Sequence, residues 1–172
     1  SCLVGSEMCI RDRFRIILDA EDDVIRDIAI KSNSTFEDFH HSIIKSFGFN
    51  GSEFAAFYVS DDNWNQGETI SLFEMNTNDL IMSNIKLEEI FNKNNKMLYV
   101  YDFLKLWTFF IELNKKIEVD DKNNKPRLIF SHGVLPENPP EKKFIRDKTK
   151  NLDFENDLFD DQNIDSFGEN YY

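Results

Sequence analysis

Two apolar and aromatic runs near the middle of the chain constrain the fold more than any other feature of the sequence. They are MLYVYDF at 97–103 and LWTFFIEL at 106–113, and only Leu104 and Lys105 lie between them. Side chains of these types favour strands, because they fit a pleated, half-buried surface. We therefore expect the two runs to be the central strands of a sheet.

Shorter segments supply the remaining predicted strands. FRIILD at 14–19 and VIRDIAI at 24–30 are separated by a polar loop of hairpin length, which predicts an antiparallel pair. Residues 54–59 are a third predicted strand, and residues 127–130 are a short last one. The polar stretch and short apolar patch at 60–73 show few strand signals, so we assign no strand there.

One amphipathic helix is predicted between the second and third strands. Ser34 and Glu37 match a capping box, in which the serine hydroxyl accepts from the Glu37 amide and the Glu37 carboxylate reaches back to Ser34. Gly48 suits the left-handed position that closes a helix, and a shorter amphipathic turn is expected within 87–91. The apolar stripe of the main helix should pack on the sheet and consists of Phe36, Phe39, Ile43, Ile44 and Phe47.

The length of the chain allows one ordinary domain with a short appendage. Two full domains would be crowded into 172 residues, and a hydrophobic fraction of 41% with 17 Phe can form a largely aromatic core. Lys105 interrupts the most apolar run and Glu112 ends it, so no stretch is long enough to span a membrane. We therefore predict a single α+β domain over 14–135 and do not expect a membrane protein.

The first thirteen residues, SCLVGSEMCIRDR, differ in character from the rest. They resemble the translation of a sequencing-library adapter, and they show neither strand alternation nor the basic start and apolar core of a signal peptide. We expect residues 1–13 to be non-native and to lie outside the fold. Because Cys2 and Cys9 both fall here, disulfides, thiolate metal sites and cysteine nucleophiles are not expected. Because the chain has no cysteine after residue 13 and shows no targeting segment, it is expected in the cytoplasm.

The composition changes after Leu135. Prolines and charges in PENPPEKKFIRDKTK mark a boundary, so residues 136–172 are predicted to be a linker followed by a disordered acidic tail. From Asn151 onward the chain has seven acidic residues and no Lys or Arg, and aromatic residues lie between the acids. Such a segment either improves solubility or orders against a protein partner, and both alternatives stay open.

The charge balance argues against acidic partners. A formal net charge of −12 opposes binding to nucleic acids and to anionic membranes. The basic residues at 142–150 are diluted by Asp147 and followed directly by the acidic tail. We interpret them as a polyampholyte linker, so neither nucleic acid nor membrane is expected as a partner.

Three histidines are the first candidates for a metal site. His40 and His41 are adjacent on the predicted helix, where side chains diverge by about 100° and cannot easily share one ion. Glu37 and His41 have the better i, i+4 spacing but supply only two ligands, and zinc usually needs about three or four. We interpret these residues as a solvated helix face and His132 as an isolated loop histidine. No metal and no cofactor is expected.

The segment 61–67 resembles a calcium loop, because oxygen-bearing side chains stand at alternate positions from Asp61. The match fails, since Gln66 occupies the place of the required glycine and Leu72 that of the bidentate glutamate. An Asx-rich turn explains the segment. Phosphate-binding glycine loops, nucleophile elbows and HExxH motifs are also missing from the sequence, so no catalytic residue is predicted.

Three blocks of the sequence carry a family resemblance. The helix TFEDFHHSIIKSFGF at 35–49 is similar to the pattern TL.DLH..I..AFGW, and LYVYDFLKLWTFFIEL at 98–113 is similar to the hairpin F.Y.YDFGD.W.H.I.L. Phe54 and Phe57 in the following strand supply the third block. In these blocks the chain resembles the plasmid Orf-three-like family, first named from a root-inducing plasmid and also described as a passenger gene of some insertion elements.

The resemblance covers about residues 14–135 and implies an α+β roll, a curved mixed sheet packed on the helix. It implies no settled activity. A resolvase-like label used for such proteins would need a nucleophilic serine or tyrosine supported by arginines, and no such cluster is evident. The family's Gly, Asp and His in the hairpin align with Leu104, Lys105 and Phe109 here. The chain therefore resembles a degenerate branch that keeps the fold and has lost any family active site.

Two functional classes follow. The leading hypothesis is a non-enzymatic interaction module whose acidic aromatic tail binds a protein partner. The alternative is a degenerate or undescribed enzyme, or a small-ligand binder, with a helix–sheet cleft lined by His40, Tyr101, Asp102 and Trp107. In purely structural roles, Asp102 would cap the turn and Trp107 would fill the core. Nucleic-acid binding through 142–150 is a third hypothesis, suggested only by the association with insertion elements.

Overall fold

One open sheet forms the frame of the molecule. The computed structural model describes residues 8–74, 76–120 and 125–140. Within these residues eight strands occur, β1 (Met8–Leu18), β2 (Ile25–Ile30), β3 (Ala55–Ser60), β4 (Gln66–Ser71), β5 (Leu80–Ile81), β6 (Lys96–Tyr101), β7 (Trp107–Asp120) and β8 (Arg127–His132). They are accompanied by helices α1 (Phe36–Phe47) and α2 (Leu87–Phe91) and by one 3-10 turn, Met82–Asn84.

The strands lie in the order β5-β4-β3-β6-β7-β1-β2-β8. All neighbours are antiparallel except β4 and β5, which are parallel. The hairpin of β6 and β7 lies at the centre, as the sequence predicts. Since β6 pairs with β3 and β7 pairs with β1, this hairpin joins two earlier ones, β1–β2 and β3–β4.

The main helix begins one residue later than predicted. Thr35, in place of Ser34, is the N-cap: its hydroxyl accepts from the Asp38 amide and its amide donates to the Asp38 carboxylate, each at 3.2 Å. The start of α1 is set from outside the helix, because the Phe36 amide donates to the carbonyl of Ile85. The predicted capping box is therefore wrong by one position.

Aromatic rings fill the space between α1 and the sheet. Phe39 packs against Phe14 of β1 and Phe57 of β3, with ring centroids 4.8 and 5.6 Å away. Gly48 ends the helix in the left-handed region, at φ 81°. The whole predicted stripe of α1 is buried, namely Phe36, Phe39, Ile43, Ile44 and Phe47. Both the helix face and the aromatic core are therefore confirmed.

Strand β1 begins at Met8, well before the predicted start at Phe14. It pairs with β7 along its full length, and Arg11 and Asp12 are buried. The expectation that residues 1–13 lie outside the fold is therefore wrong for residues 8–13, whereas residues 1–7 lie outside the described part. A segment without apolar alternation joins the sheet here because the long strand β7, which continues to Asp120, offers it a partner.

Strands β4 and β5 are missing from the predicted set. β4 has the sequence QGETIS, is exposed over its first three residues, and is buried only at Ile70 and Ser71. β5 has two residues. Short, polar edge strands of this kind carry little apolar alternation, because little of their length packs on the core. For this reason the pattern of residues 60–73 does not reveal them.

The predicted α+β class, one mixed sheet with one main helix, is confirmed. The predicted last strand is also present and extends to His132. Of the linker and acidic tail predicted at 136–172, everything from Glu141 onward lies outside the described residues. In the part of the chain that the structure describes, no helix has the length and apolarity needed to cross a bilayer.

Candidate functional site

The turn between β6 and β7 presents apolar side chains to solvent. Phe103 is 42% exposed and Leu104 is 94% exposed. Phe54 packs edge-to-face on Phe103 with ring centroids 4.8 Å apart, and the exposed ring of Phe73 lies 6.4 Å from that of Phe54. We call Phe54, Phe73, Phe103 and Leu104 the turn patch. Single exposed apolar residues are common on proteins, but a contiguous apolar patch, here joined by the contacts of Phe54 with Phe73 and Phe103, is typical of an interaction site.

The backbone of this turn is strained. Asp102 and Leu106 both have left-handed conformations, with φ of 58° and 59°. Asp102 tolerates this because its carboxylate accepts from the amides of Leu104 and Lys105 at 3.1 and 3.3 Å. A leucine gains no such compensation, and the left-handed region costs it roughly 1–2 kcal/mol. The turn keeps this conformation because the Asp102 amide donates to the Phe54 carbonyl at 2.9 Å.

Three of the four residues predicted to line a cleft lie at this end of the hairpin. Tyr101 and Trp107 are cross-strand partners, both buried, and both rings pack on Phe49 with centroids 4.5 and 5.3 Å away. The Tyr101 hydroxyl donates to the Asn50 side-chain oxygen at 3.1 Å. Asp102 caps the turn and Trp107 fills the core, which are the structural roles expected for them.

His40, the fourth predicted residue, is buried and not solvated. It is 1% exposed, and its Nδ1 lies 2.7 Å from the Tyr99 hydroxyl on β6. The interpretation of His40 as part of a solvated face is therefore wrong, because α1 turns this position toward the sheet. His40 thus pairs with Tyr99, two residues before Tyr101 on the strand. A cleft shared with Tyr101, Asp102 and Trp107 stays a prediction.

The pair of His40 and Tyr99 is electrically neutral at pH 7. Burial, assisted by the neighbouring His41, lowers the pKa of His40 to about 4. Burial also raises the pKa of the Tyr99 hydroxyl well above its ordinary value. The hydrogen bond therefore joins an uncharged imidazole to an uncharged phenol, and acid will break this arrangement before base does.

We expect this histidine to make the fold sensitive to acid. Between pH 6.5 and pH 4 an unfolded chain protonates His40 while the folded chain does not, so stability falls as the pH falls. By pH 4 the loss reaches about 3 kcal/mol relative to neutral pH. The free energy of unfolding is measured with urea at several pH values for wild type and for His40→Asn, which keeps an acceptor near Tyr99. Only wild type should show the additional loss of stability between pH 6.5 and pH 4. An equal pH dependence of stability in both proteins would contradict the assignment of this acid sensitivity to His40. Loss of the pH dependence in His41→Ala would contradict it as well.

The other candidate metal ligands lie on the surface. His41 is exposed and Glu37 is half-buried, and His41 Nε2 lies 3.7 Å from Glu37 Oε1. His132 ends β8, which corrects its predicted place in a loop, and it is exposed. Among the residues that the structure describes, no three His, Cys, Asp or Glu side chains come together as a metal ion would require.

Asp61 organises the loop between β3 and β4. Its carboxylate accepts from the amides of Asn63 and Asn65, both at 2.9 Å, and from the Asn65 side chain at 2.8 Å. These hydrogen bonds, led by that from the Asn65 side chain, lower the pKa of Asp61. The predicted Asx-rich turn is confirmed.

A buried carboxylate on the far face of the sheet escaped sequence-based prediction. Asp27 of β2 is fully buried, and Arg15 donates to its two oxygens at 2.9 Å each. Arg13 donates to the same group at 2.5 and 3.0 Å. Burial raises the pKa of Asp27, but the hydrogen bonds from Arg15 and Arg13 outweigh burial, so this pKa lies below its ordinary value. The alternating arginines are the available signal, but Arg13 lies in the segment taken as non-native.

The turn patch also escaped prediction, although part of its signal is visible in the sequence. Leu104 stands where the related hairpin pattern has a glycine. The tip of the turn therefore carries an apolar side chain where the pattern has no side chain. The contributions of Phe54 and Phe73 depend on strand pairing and carry no local signal. The sequence therefore indicates an altered turn but not a surface.

Comparisons with known proteins agree with this fold. The crystal structure of MM3350, a protein of unknown function from Methanosarcina mazei Go1, is similar with a TM-score of 0.64 and 20% sequence identity. The similarity covers 74% of this chain and 73% of that one. At such low identity it shows the fold alone. No curated protein matches the sequence.

Residues 13–160 match the family described as "Plasmid pRiA4b ORF-3-like protein". The match starts at Arg13, where the adapter-like segment ends, and it reaches beyond residue 135 into the segment predicted as linker and tail. It includes the helix and hairpin motifs from which the resemblance was inferred. Since the match spans most of the sequence, the chain belongs to the plasmid pRiA4b ORF-3-like family.

Proposed function

We propose that this protein is a non-enzymatic module that binds another protein through the turn patch. The observation that carries the proposal is a pair of exposed rings, Phe73 and Phe103, that both pack on the half-buried Phe54 beside a turn with two left-handed residues that are not glycine. The Leu106 amide donates to the Asp102 carbonyl at 2.6 Å, and this hydrogen bond holds the strained turn that presents Phe103 and Leu104 to solvent. Strained segments of this kind cluster at functional sites.

Charges beside the turn patch favour a partner with an apolar centre and a basic rim. Glu53 precedes Phe54 and Glu74 follows Phe73, and both glutamates are exposed, whereas the exposed Lys105 follows Leu104, so acidic residues beside the patch outnumber basic ones by two to one. The formal net charge of −12 adds a long-range attraction for basic surfaces. Buried aromatic anchors surrounded by a polar rim are the usual anatomy of a protein interface.

The acidic segment 151–172 is proposed to add a second contact with the same partner. Its seven acidic residues, with aromatic residues between them, suit a basic surface and coupled folding and binding. This support is compositional and independent of the turn patch. The absence of cysteine after Cys9 suits a reducing compartment, and we therefore propose that the interaction takes place in the cytoplasm.

The test compares two full-length variants that each remove exposed apolar surface. Phe103→Ser combined with Leu104→Ser alters the turn patch, whereas Val134→Ser alters a residue that is 87% exposed and lies after β8. Each tagged protein is purified from the host organism, and the proteins that accompany it are quantified by mass spectrometry. We expect at least one partner to be kept by wild type and Val134→Ser but reduced by about tenfold or more with the patch variant.

The partner found in this way is then purified and its Kd is measured by calorimetry. A Kd unchanged by the patch variant contradicts the proposed surface, and a patch variant that retains every partner contradicts the proposed function. A turn patch that instead mediates self-association, seen as a wild-type dimer and a monomeric variant in sedimentation, also overturns the proposal. Deleting residues 151–172 from the same protein measures the separate contribution of the acidic segment.

A further inference from the structure

A groove separates the solvent-facing side of α1 from the chain that enters β8. It encloses about 520 Å³, which is within the usual size of small-molecule sites. Its floor is a cross-strand pair, Ile28 of β2 and Leu128 of β8, and Pro126 extends this apolar surface. Ile28 is buried, whereas Leu128 is 45% exposed, which is a large exposure for a leucine within a strand.

Basic side chains line both walls of this groove. His41 and Lys45 are four residues apart on α1 and therefore share a helix face. Lys125 lies on the opposite wall, whereas the side chain of Arg127 projects to the other face of the sheet, because Arg127 pairs with Ala29 while Leu128 of the floor pairs with Ile28. This concentration of positive charge contrasts with the formal net charge of −12 for the whole chain. No ion pair among the described residues involves Lys45, Lys125 or Arg127.

The other polar groups of the groove are already engaged within the helix. Asp38, the one acidic residue among the described residues of the lining, accepts the Thr35 amide at the start of α1. The hydroxyls of Ser42 and Ser46 donate to the carbonyls of Asp38 and Ile43, both at 2.8 Å. Donors for a bound molecule must therefore come from the basic side chains, which favour an anion.

We propose that the groove between α1 and β8 binds a small organic anion, with its charged group between Lys45 and Lys125 and its apolar body on Ile28 and Leu128. The ligand class is a carboxylate or a phosphate monoester that carries an aromatic or aliphatic group. The apolar floor distinguishes this ligand from a free inorganic anion, and the basic walls distinguish it from a neutral apolar molecule. The site is separate from the turn patch and independent of the function proposed there.

The test uses isotopically labelled full-length protein and three probes: phenyl phosphate, inorganic phosphate and benzyl alcohol. We expect phenyl phosphate to shift the backbone resonances of residues 38–46 and 125–128. We also expect its Kd to be at least about tenfold lower than that of either other probe, because only phenyl phosphate uses both the walls and the floor. Raising the salt concentration should weaken its binding.

Matched substitutions test the walls. Lys45→Glu and Lys125→Glu should each raise the Kd for phenyl phosphate by about tenfold or more, whereas Lys93→Glu, the same charge change at an exposed residue after α2, should not. Lys45→Gln, which removes charge without reversing it, checks that a loss is not due to unfolding. Equal binding of inorganic and phenyl phosphate, resonance shifts elsewhere in the protein, or an equal effect of Lys93→Glu would each overturn the proposal.

Discussion

Replacing Phe57 with alanine is expected to lower the free energy of unfolding by about 4 kcal/mol, which is within the usual range for a fully buried phenylalanine. Its ring is completely buried and has centroids 5.1 Å from Phe36, 5.6 Å from Phe39 and 4.8 Å from Tyr99. These partners come from α1 and β6, so the substitution removes a contact between three elements. The resulting cavity lies under the helix, where the rigid neighbours limit relaxation.

Phe73→Ala is the matched control, because it is the same substitution at a residue that is 63% exposed. Its effect should stay within about 0.5 kcal/mol. Urea unfolding curves of both variants and wild type measure the difference directly. A loss below 1 kcal/mol for Phe57→Ala, or equal losses for the two variants, would mean that this ring is not at the centre of the core.

Replacing Asp27 with alanine is expected to have the second-largest effect, a loss of about 3 kcal/mol at pH 7. The substitution leaves two guanidinium groups, those of Arg13 and Arg15, without their shared carboxylate. The side chains of these arginines are 24% and 36% exposed, so part of the cost is recovered through contact with water. For this reason we expect the loss in free energy of unfolding to lie at the lower end of the range that is usual when one partner of a buried ion pair is removed.

The pH dependence of this effect has a definite sign. The folded-state pKa of Asp27 lies below its ordinary value, so its contribution is present above that ordinary pKa and is lost as the pH falls through the folded value. The difference in stability between wild type and Asp27→Ala should therefore narrow in strong acid. Asp22→Ala, at an exposed position in the loop before β2, should match wild type at every pH. A constant difference across the acid range would argue that Asp27 acts by packing rather than by charge.

Features that depend on neighbouring residues could be predicted from the sequence. The buried stripe of α1 and its end at Gly48 follow from helical spacing and from the freedom of glycine in the left-handed region. The cap could not be placed to the residue, because the backbone contact of Phe36 with Ile85 joins segments about fifty residues apart. Local chemistry allows both Ser34 and Thr35 as caps, and tertiary contact decides between them.

The candidate sites depend on contacts between distant segments and were less accessible to prediction. Phe54 and Phe103 meet because β3 pairs with β6, a register that spacing along the chain does not reveal. The same limit applies to the groove beside α1, because Lys125 and Leu128 come to line it only when β8 pairs with β2. Residue types in the hairpin indicated that Asp102 would cap the turn, since that role needs only neighbouring amides.

The position of the β6–β7 hairpin in the sheet has a consequence for how the protein is made. Both hairpins that it joins are translated before it, so the inner edges of β1 and β3 have no strand partner until residues 96–120 leave the ribosome. During that interval the nascent chain carries two unpaired edges and the apolar faces beneath them. A slow stretch of translation between β3 and β6 would lengthen this interval, and we therefore expect codon choice in that stretch to change the yield of folded protein without changing any contact of the finished fold.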